Sequence, residues 1–401
     1  MKVALDTLGC KLNQAETETL ARRLVQAGHE VVPTVEQADV YVLNTCTVTA
    51  TADAKARHLL RLARRRNPLV RLVAAGCYAD RAADTLRRLP GVWLVAGNAE
   101  KNDLPRLLEE VFDSASAGAA LPPPTGRTRA FVKIQDGCRA RCAYCIVPMV
   151  RGPEKSVPLA DVLAEVKTRE FDGFKEVVLT GTEVGSYRDG GLRLTDLLRA
   201  VLGGTGIRRV RLSSLQPPEV TPDLVGLWRD ERLCPHFHLS LQSGCDATLR
   251  RMRRRYSAAD FRAAVSLIRG IVPDAAITTD IIVGFPGETD ADFETSLEFC
   301  RELGFARIHV FPFSSRPGTE AAKMAGQIDE KTKRARTGEM LRLARECAAA
   351  FRRRFTGHTR PVLWEQRNAR GLWTGLTDNY IPVTMRSEED LTNRITGLRL
   401  E

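Results

Sequence analysis

Short runs of β-branched residues alternate with longer amphipathic stretches along most of this chain, a rhythm that points to parallel α/β architecture. In the first part, KVALDTLG, DVYVLNT, VRLVAAG and VWLVAG are followed by amphipathic segments at 14–28, 51–66, 79–89 and 101–112. These predict an open, mostly parallel sheet. In the second part, strands are expected at RAFVKIQ, EVVLTG, RRVRLSS, HFHLSLQ, ITTDIIVGF and ARIHVFPF, with helices at 158–170, 194–202, 220–229, 257–270, 289–303 and 329–354. Six β/α units predict a partial barrel whose working face is the rim at the strand C-termini. The run DSASAGAALPPPTG between the two parts reads as a linker. The last segment, with HTRPVLWEQ, LWTGLTDNYIPVTM and ITGLRLE, reads as a compact β module. The expected units are 1–118, a linker at 119–127, 128–354 and 355–401.

The cysteines fall at the edges of these strands. Cys10, Cys46 and Cys77 each follow a different strand of the first sheet, in TLGC, LNTC and AAGC. Ligands bind at that carboxyl edge in open α/β sheets. One cysteine after a strand is usually a small hydrophobe, but three at equivalent places form a candidate thiolate set, with Asn44 and Gly9 or Gly76 as turn formers around it. A second set, Cys138, Cys142 and Cys145, lies in DGCRARCAYCIVP after the first barrel strand. A zinc site would want a nearby histidine or fourth cysteine, and none lies within about twenty residues on either side. Iron-sulfur cubanes normally take four thiolates, so each triplet suggests a cluster with one iron left open for a small molecule. Cys234, Cys245, Cys300 and Cys347 show no partner spacing and read as structural, and His236 and His238 as core or rim polar residues.

Other rim loops carry small or hydrogen-bonding groups: Gly181 and Glu183 after the second barrel strand, Ser213 and Ser214 after the third, Gln242 and Ser243 after the fourth, and Val283 to Glu288 after the fifth. Tyr144 is placed to shield a cluster or to pack under an adenine. Arg255, beside Tyr256, could grip phosphate or carboxylate, with a plain surface charge run as the alternative.

Ten cysteines in a chain without a signal-peptide start argue against a disulfide framework and for a reducing, cytoplasmic setting. No apolar run approaches a membrane span. The net charge is +11, and residues 331–401 hold 15 Lys and Arg against 8 Asp and Glu. Together with Arg64–Arg66 and Arg250–Arg255, these basic runs favour a polyanion partner over solvated faces.

These features, with LTGTEVGSY, SSLQPPE, HLSLQSGCDATLRRM, TTDIIVGFPGETDADF and HVFPFSSRPGT, resemble the radical S-adenosylmethionine methylthiotransferases across essentially the whole chain. The GCKLNQAETE start and HLSLQSG are similar to members acting on N6-threonylcarbamoyladenosine in tRNA. Members acting on isopentenyladenosine usually begin GCQMN, and those acting on a ribosomal protein GCPKN. The resemblance implies two 4Fe-4S clusters, a radical-SAM barrel, and a short TRAM-like RNA-binding tail. Cys138, Cys142 and Cys145 would hold the cluster that binds S-adenosylmethionine, and Cys10, Cys46 and Cys77 an auxiliary cluster carrying the sulfur to be transferred. Tyr144, Gly181, Glu183, Ser213, Ser214, Gln242 and Val283 would surround S-adenosylmethionine, and Asn13, Arg151, Arg255 and Phe311 the substrate. The implied partners are a tRNA anticodon loop, where a base can be splayed out, and a reducing electron donor; the oligomeric state is left open. A non-catalytic iron-sulfur RNA-binding or electron-transfer protein is the alternative from another class.

Overall fold

The computed structural model describes residues 1–109 and 128–401, so the linker expected at 119–127 lies outside the described residues. Strands β1 (Lys2–Thr7), β2 (Glu30–Val32), β3 (Val40–Thr45), β4 (Arg71–Gly76) and β5 (Val92–Ala96) form one parallel sheet in the order β2-β1-β3-β4-β5. Helices α1 (Lys11–Gln26), α2 (Ala50–Arg66), α3 (Cys77–Arg87) and α4 (Leu104–Glu109) connect and flank them. β3 is buried at every position, because successive side chains enter separate apolar layers on the two faces. Chain order reverses between β1 and β3, which makes a crevice at their carboxyl ends. Strand β2 has no counterpart among the sequence-predicted strands. Its three residues, cut off by Pro33, are too short to show alternation.

The second unit is an arc of parallel strands: β6 (Arg129–Lys133), β7 (Glu176–Thr180), β8 (Arg209–Leu212), β9 (His236–Leu239), β10 (Ala276–Val283) and β11 (Arg307–Pro312). The third strand, expected to be continuous, breaks at Ser213 and resumes at Ser214–Leu215, where it changes neighbour to β9. The arc is thereby divided into a three-stranded and a four-stranded sheet. Along each strand the side chains alternate. Val132, Leu179, Val210, Phe237, Ile277 and Ile308 join the largest apolar core. The other register is largely polar and includes Arg129, Glu176, Arg211, His236, His238, Asp280 and His309. The helix expected at 220–229 is instead a short α-helical turn, Pro222–Val225, followed by a 3-10 segment, Gly226–Arg229, with Gly226 at the break.

After the long helix Glu330–Arg353, strands Thr359–Arg367, Trp373–Thr377, Pro382–Met385 and Ile395–Arg399 form an antiparallel sheet. Its core of Val362, Trp364 and Trp373 packs on Phe351 of that helix and on Phe355 just beyond its end. The sheet sits against the amino-terminal end of the barrel strands. Arg209 donates to Pro361 O (2.6 Å), Arg211 to Asp378 O (3.0 Å), and Arg129 pairs with Glu365 (2.8 Å).

A buried ionic knot fixes the first sheet to the barrel. Glu16 of α1, only 5% exposed at its side chain, accepts from Lys101 (2.5 Å), Lys133 (3.0 Å) and Arg151 (3.1 Å). Arg151 also reaches Asp136 (2.8 Å) and the Asn13 side chain (2.5 Å). Three cations therefore surround one buried carboxylate, drawn from both units. Burial alone would raise the Glu16 pKa, but Lys101, Arg151 and Lys133 outweigh it and hold the carboxyl well below the usual range. A second clamp joins Arg316, in the loop after β11, to Asp53 (2.5 Å) and Thr47 (2.9 Å).

Replacing Glu16 by Gln leaves the buried Lys101 ammonium without its counter-charge, while Asp136 still pairs Lys133 and Arg151, and is expected to cost about 3–5 kcal/mol in urea unfolding. Because the folded pKa of Glu16 is depressed, its contribution is fully present above the unfolded carboxylate value of about 4.3 and is lost as pH falls below it. Wild-type stability should therefore drop more steeply than that of Glu16→Gln as acid is added below about pH 4.3.

Candidate active site

The first cysteine triplet is built by three adjacent strand ends. Cys10 caps α1, Cys46 directly follows β3, and Cys77 opens α3 directly after β4. Gly9 lies at φ +108°, and a Cβ there would stand 2.6 Å from Cys46 Cβ and 3.0 Å from its sulfur. Only glycine lets these two turns meet. Asn13 donates to Leu8 O (2.8 Å) and Thr45 O (3.1 Å), tying the Cys10 and Cys46 loops together. Thr45 donates to Ala75 O (2.5 Å) and accepts from Tyr78 N (3.3 Å), tying in Cys77. Sulfur acceptors receive N–H groups: Val48 N to Cys46 and Asn98 Nδ2 to Cys77, each at 3.5 Å.

The second triplet lies on the loop after β6. Cys138 N donates to Gly152 O (3.1 Å), and Cys145 N to Cys142 O (3.0 Å). Ala140 N donates to the Cys138 sulfur (3.3 Å), and the Arg254 guanidinium to the Cys142 sulfur (3.4 Å). Arg254 also reaches Tyr144 Oη (3.4 Å), Gln216 Oε1 (3.1 Å) and Ser240 O (3.3 Å). Burial pushes the thiols of Cys46 and Cys145 up to about 11. Cys138 is pushed higher still, by burial and then by its hydrogen bond to Glu183 (3.0 Å). A metal centre held there would displace these protons, and the N–H donors would then serve the thiolate sulfurs, a main lever on cluster potential.

The barrel triplet and the turn after Cys46 border one space. A cavity of about 210 Å³ is lined by Cys145 and Tyr144 on the barrel side and by Val48 and Thr49, just past Cys46, on the sheet side. Gln242, Asp280, Ile282 and Phe311 complete much of its wall. Cys77 packs with Ile146 and Val150, on the segment that follows Cys145. Gln242 holds a left-handed backbone, φ 71°, unusual for a non-glycine residue and of the kind that gathers at functional sites. The buried Ser213 hydroxyl has no hydrogen-bond partner among the described residues, so it is available to a ligand.

Several residues singled out from the sequence take other positions. Asn13 and Arg151 are buried in the inter-unit network. The Val283 side chain joins the helix-facing core, leaving only its backbone near the rim, where its carbonyl accepts from Phe313 N (2.8 Å). Ser214 lies within its strand, paired with His238. Gly181 abuts Gln135, where a Cβ would meet the Gln135 carbonyl at 2.8 Å. Arg255 is exposed, and its neighbour Arg254 turns inward because the chain reverses at Arg253, φ 57°. In a run of five arginines around one methionine, only that turn distinguishes the two. Gln216, which donates to Glu183, and Asp280 on the cavity wall also escaped the sequence reading.

Fold and thiol sets together define a radical-SAM enzyme. The Radical SAM superfamily model matches residues 132–300, and that of Uncharacterized protein family UPF0004 matches residues 2–97. Proteins named threonylcarbamoyladenosine tRNA methylthiotransferase MtaB are 38% identical in Thermotoga maritima, over 94% of this chain and 90% of that one, and 33% identical in Bacillus subtilis, over 99% and 93%. A tRNA-2-methylthio-N(6)-dimethylallyladenosine synthase of Thermodesulfovibrio yellowstonii is 34% identical, over 94% and 90%. The radical S-adenosylmethionine methyltransferase TsrM from Kitasatospora setae, solved with cobalamin and a [4Fe-4S] cluster, shares the fold at a TM-score of 0.59 and 16% identity, covering 80% of this chain and 76% of that one. The chain belongs to the radical-SAM methylthiotransferase family, MtaB type. Enzymes of this family use S-adenosylmethionine and [4Fe-4S] clusters, and the six thiols with their N–H donors fit that use.

Because Gly9 has no room for a Cβ, Gly9→Ala should selectively disrupt the first triplet. Anaerobically reconstituted wild type is expected to carry about eight irons and the variant about four. Unchanged iron content in Gly9→Ala would contradict the placement of a cluster at Cys10, Cys46 and Cys77.

Proposed function

We propose that the chain converts N6-threonylcarbamoyladenosine at tRNA position 37, on the 3′ side of the anticodon, to its 2-methylthio derivative, consuming two S-adenosylmethionine molecules per base. The observation that carries the proposal is the single cavity bordered by Cys145 and by the turn after Cys46. A transfer reaction needs its radical source and its sulfur source on the same base. Bound at the two triplets, the cofactors supply a 5′-deoxyadenosyl radical and the sulfur to be installed, chemistry that is theirs while the protein orients the parts.

The side chains have assignable tasks in this reading. Glu183, held by Gln216 and by Gln135 Oε1 on its backbone N–H (2.8 Å), is placed beside Cys138 to receive the methionine amino group. Arg254 orients Tyr144 and keeps a positive charge against Cys142. Phe311, 42% exposed and on the cavity wall, offers a face on which a splayed-out base can stack. The basic C-terminal segment, including the antiparallel sheet, provides phosphate contacts, and the TRAM-like role belongs to that sheet. The enzyme acts in the cytoplasm and takes its electrons from a reducing donor; no helix among the described residues is long and apolar enough to cross a membrane.

The curated relatives named for dimethylallyladenosine make that base the competing substrate. Nucleoside mass spectrometry of tRNA from cells lacking this gene should show loss of 2-methylthio-N6-threonylcarbamoyladenosine. Loss of the 2-methylthio dimethylallyl nucleoside instead would overturn the substrate assignment. In vitro, Cys142→Ala should abolish reductive cleavage of S-adenosylmethionine, and cleavage that persists would remove the role given to that triplet.

A further inference from the structure

The cavity and the C-terminal sheet lie at opposite ends of the barrel, and the long helix Glu330–Arg353 runs from one to the other. Its first turns stand at the carboxyl rim. Lys333 donates to the carbonyl of Phe313, a residue of the cavity wall (3.4 Å), and Arg336 donates to Glu288 O in the rim loop after β10 (3.1 Å). At its other end Phe351 enters the core of the C-terminal sheet, and Arg354, just past the helix, donates to Pro273 O ahead of β10 (3.0 Å). Between these ends the helix packs along β11, the strand that supplies Phe311 to the cavity.

The buried side of this helix holds Met340, Leu343, Ala344, Cys347 and Phe351. At about 100° per residue, the exposed Arg334, Arg345 and Arg352 fall on the opposite side, within about 20° of one line and spread over about 27 Å. Between them that face carries Gly338, Leu341 and Ala349, and no carboxylate. Arg345 and Arg352 have no acidic residue three or four positions away on the helix, where a partner would stand. The one near Arg334, Glu330, pairs with Lys333. Glu365, which shares a cleft with Arg352 at the C-terminal sheet, is held by Arg129 (2.8 Å). Among the described residues none of the three guanidinium groups makes an ion pair or hydrogen bond. A face kept only for solvation mixes its signs, as the flank with Glu339, Arg342 and Glu346 does.

We infer that Arg334, Arg345 and Arg352 form a track for the phosphate backbone of the substrate RNA, gripping the base-paired stem that adjoins the target loop. The inference rests on the tRNA reading above and assigns it a surface outside the C-terminal sheet. An RNA whose base is held at the rim, and whose backbone also meets that sheet, passes along this helix. Guanidinium groups take phosphate oxygens in a two-pronged fork, and a stem presents its phosphates in a fixed array that a straight row of arginines can follow. Contacts of this kind fix position and register without reading sequence, so the track serves any tRNA that carries the target base and leaves discrimination to the cavity.

The test is equilibrium binding of full-length tRNA, over a series of salt concentrations, to anaerobically reconstituted wild type and to two triple variants. One carries Arg334→Gln, Arg345→Gln and Arg352→Gln, and the other Lys at the same three places. Near physiological salt the Gln variant should bind on the order of tenfold more weakly, and the slope of log affinity against log salt should fall by about one per arginine replaced. The Lys variant should keep most of the affinity and slope. Equal iron content and equal reductive cleavage of S-adenosylmethionine without tRNA show that folding and cluster assembly are intact; should the triple variant fail to fold, Arg345→Gln alone should lower the slope by about one. Undiminished affinity in the Gln variant, or a loss of affinity with an unchanged slope, overturns the track while leaving the substrate reading intact. Unchanged tRNA binding with slower reduction by an acidic electron-carrier protein overturns it too, and gives the stripe to that protein. A wild type that binds no tRNA overturns both readings.

Discussion

The buried carboxylate of Glu16 is the constraint on which the geometry of the site depends. It stands on the helix that begins at Cys10, and it is gripped by Lys101 from its own unit and by Lys133 and Arg151 from the barrel. Arg151 ends the short helix that follows Cys145. One ionic centre is therefore tied through a few residues to both cysteine triplets, and buried charges of this kind persist only when closely paired. The Arg316–Asp53 clamp does the same from the opposite side, near Cys46. Between these two attachments the sheet's carboxyl edge is held over the barrel rim, and the 210 Å³ cavity lies where the two edges face each other.

The same parallel topology places ligands at the carboxyl ends of the strands in both units, so two ordinary α/β edges set face to face create a site that neither could form alone. Their loops are shaped by close backbone approach. Gly9 lets Cys46 come near Cys10, and Gly137, at φ +70°, lets the second cysteine loop pass within contact of Pro153 O. The backbone and side-chain N–H groups aimed at sulfur belong to these same turns. The inward register of the barrel is largely polar, and Tyr380 of the C-terminal sheet packs on His236 and under Arg211 of that register, so the third unit abuts the barrel's inner face as well as carrying basic residues.

Much of this was legible in the sequence because the signals were periodic or spaced. All six expected barrel strands are present, and capping boxes such as Ser257 with Asp260 and Thr289 with Asp292 mark where two of the helices around them start. The first-triplet cysteines could be placed because each directly follows or closely trails a strand. Features set by three-dimensional turns were not legible. Arg254 and Arg255 are indistinguishable until the left-handed turn at Arg253 sends one inward. Val283 ends the right strand but in the outward register, which a one-residue shift reverses. Asn13 and Arg151 are polar and near the cysteines in sequence, yet their partners are each other and Glu16, a long-range pairing with no local signature.

The central claim is that two clusters face one cavity from opposite units. Iron-edge anomalous diffraction from crystals of the anaerobically reconstituted protein tests it most directly. The account predicts two anomalous centres, one at Cys138, Cys142 and Cys145 and one at Cys10, Cys46 and Cys77, with the cavity walled by Gln242 and Phe311 between them. A single centre at the barrel triplet, or a second one elsewhere in the chain, would contradict it.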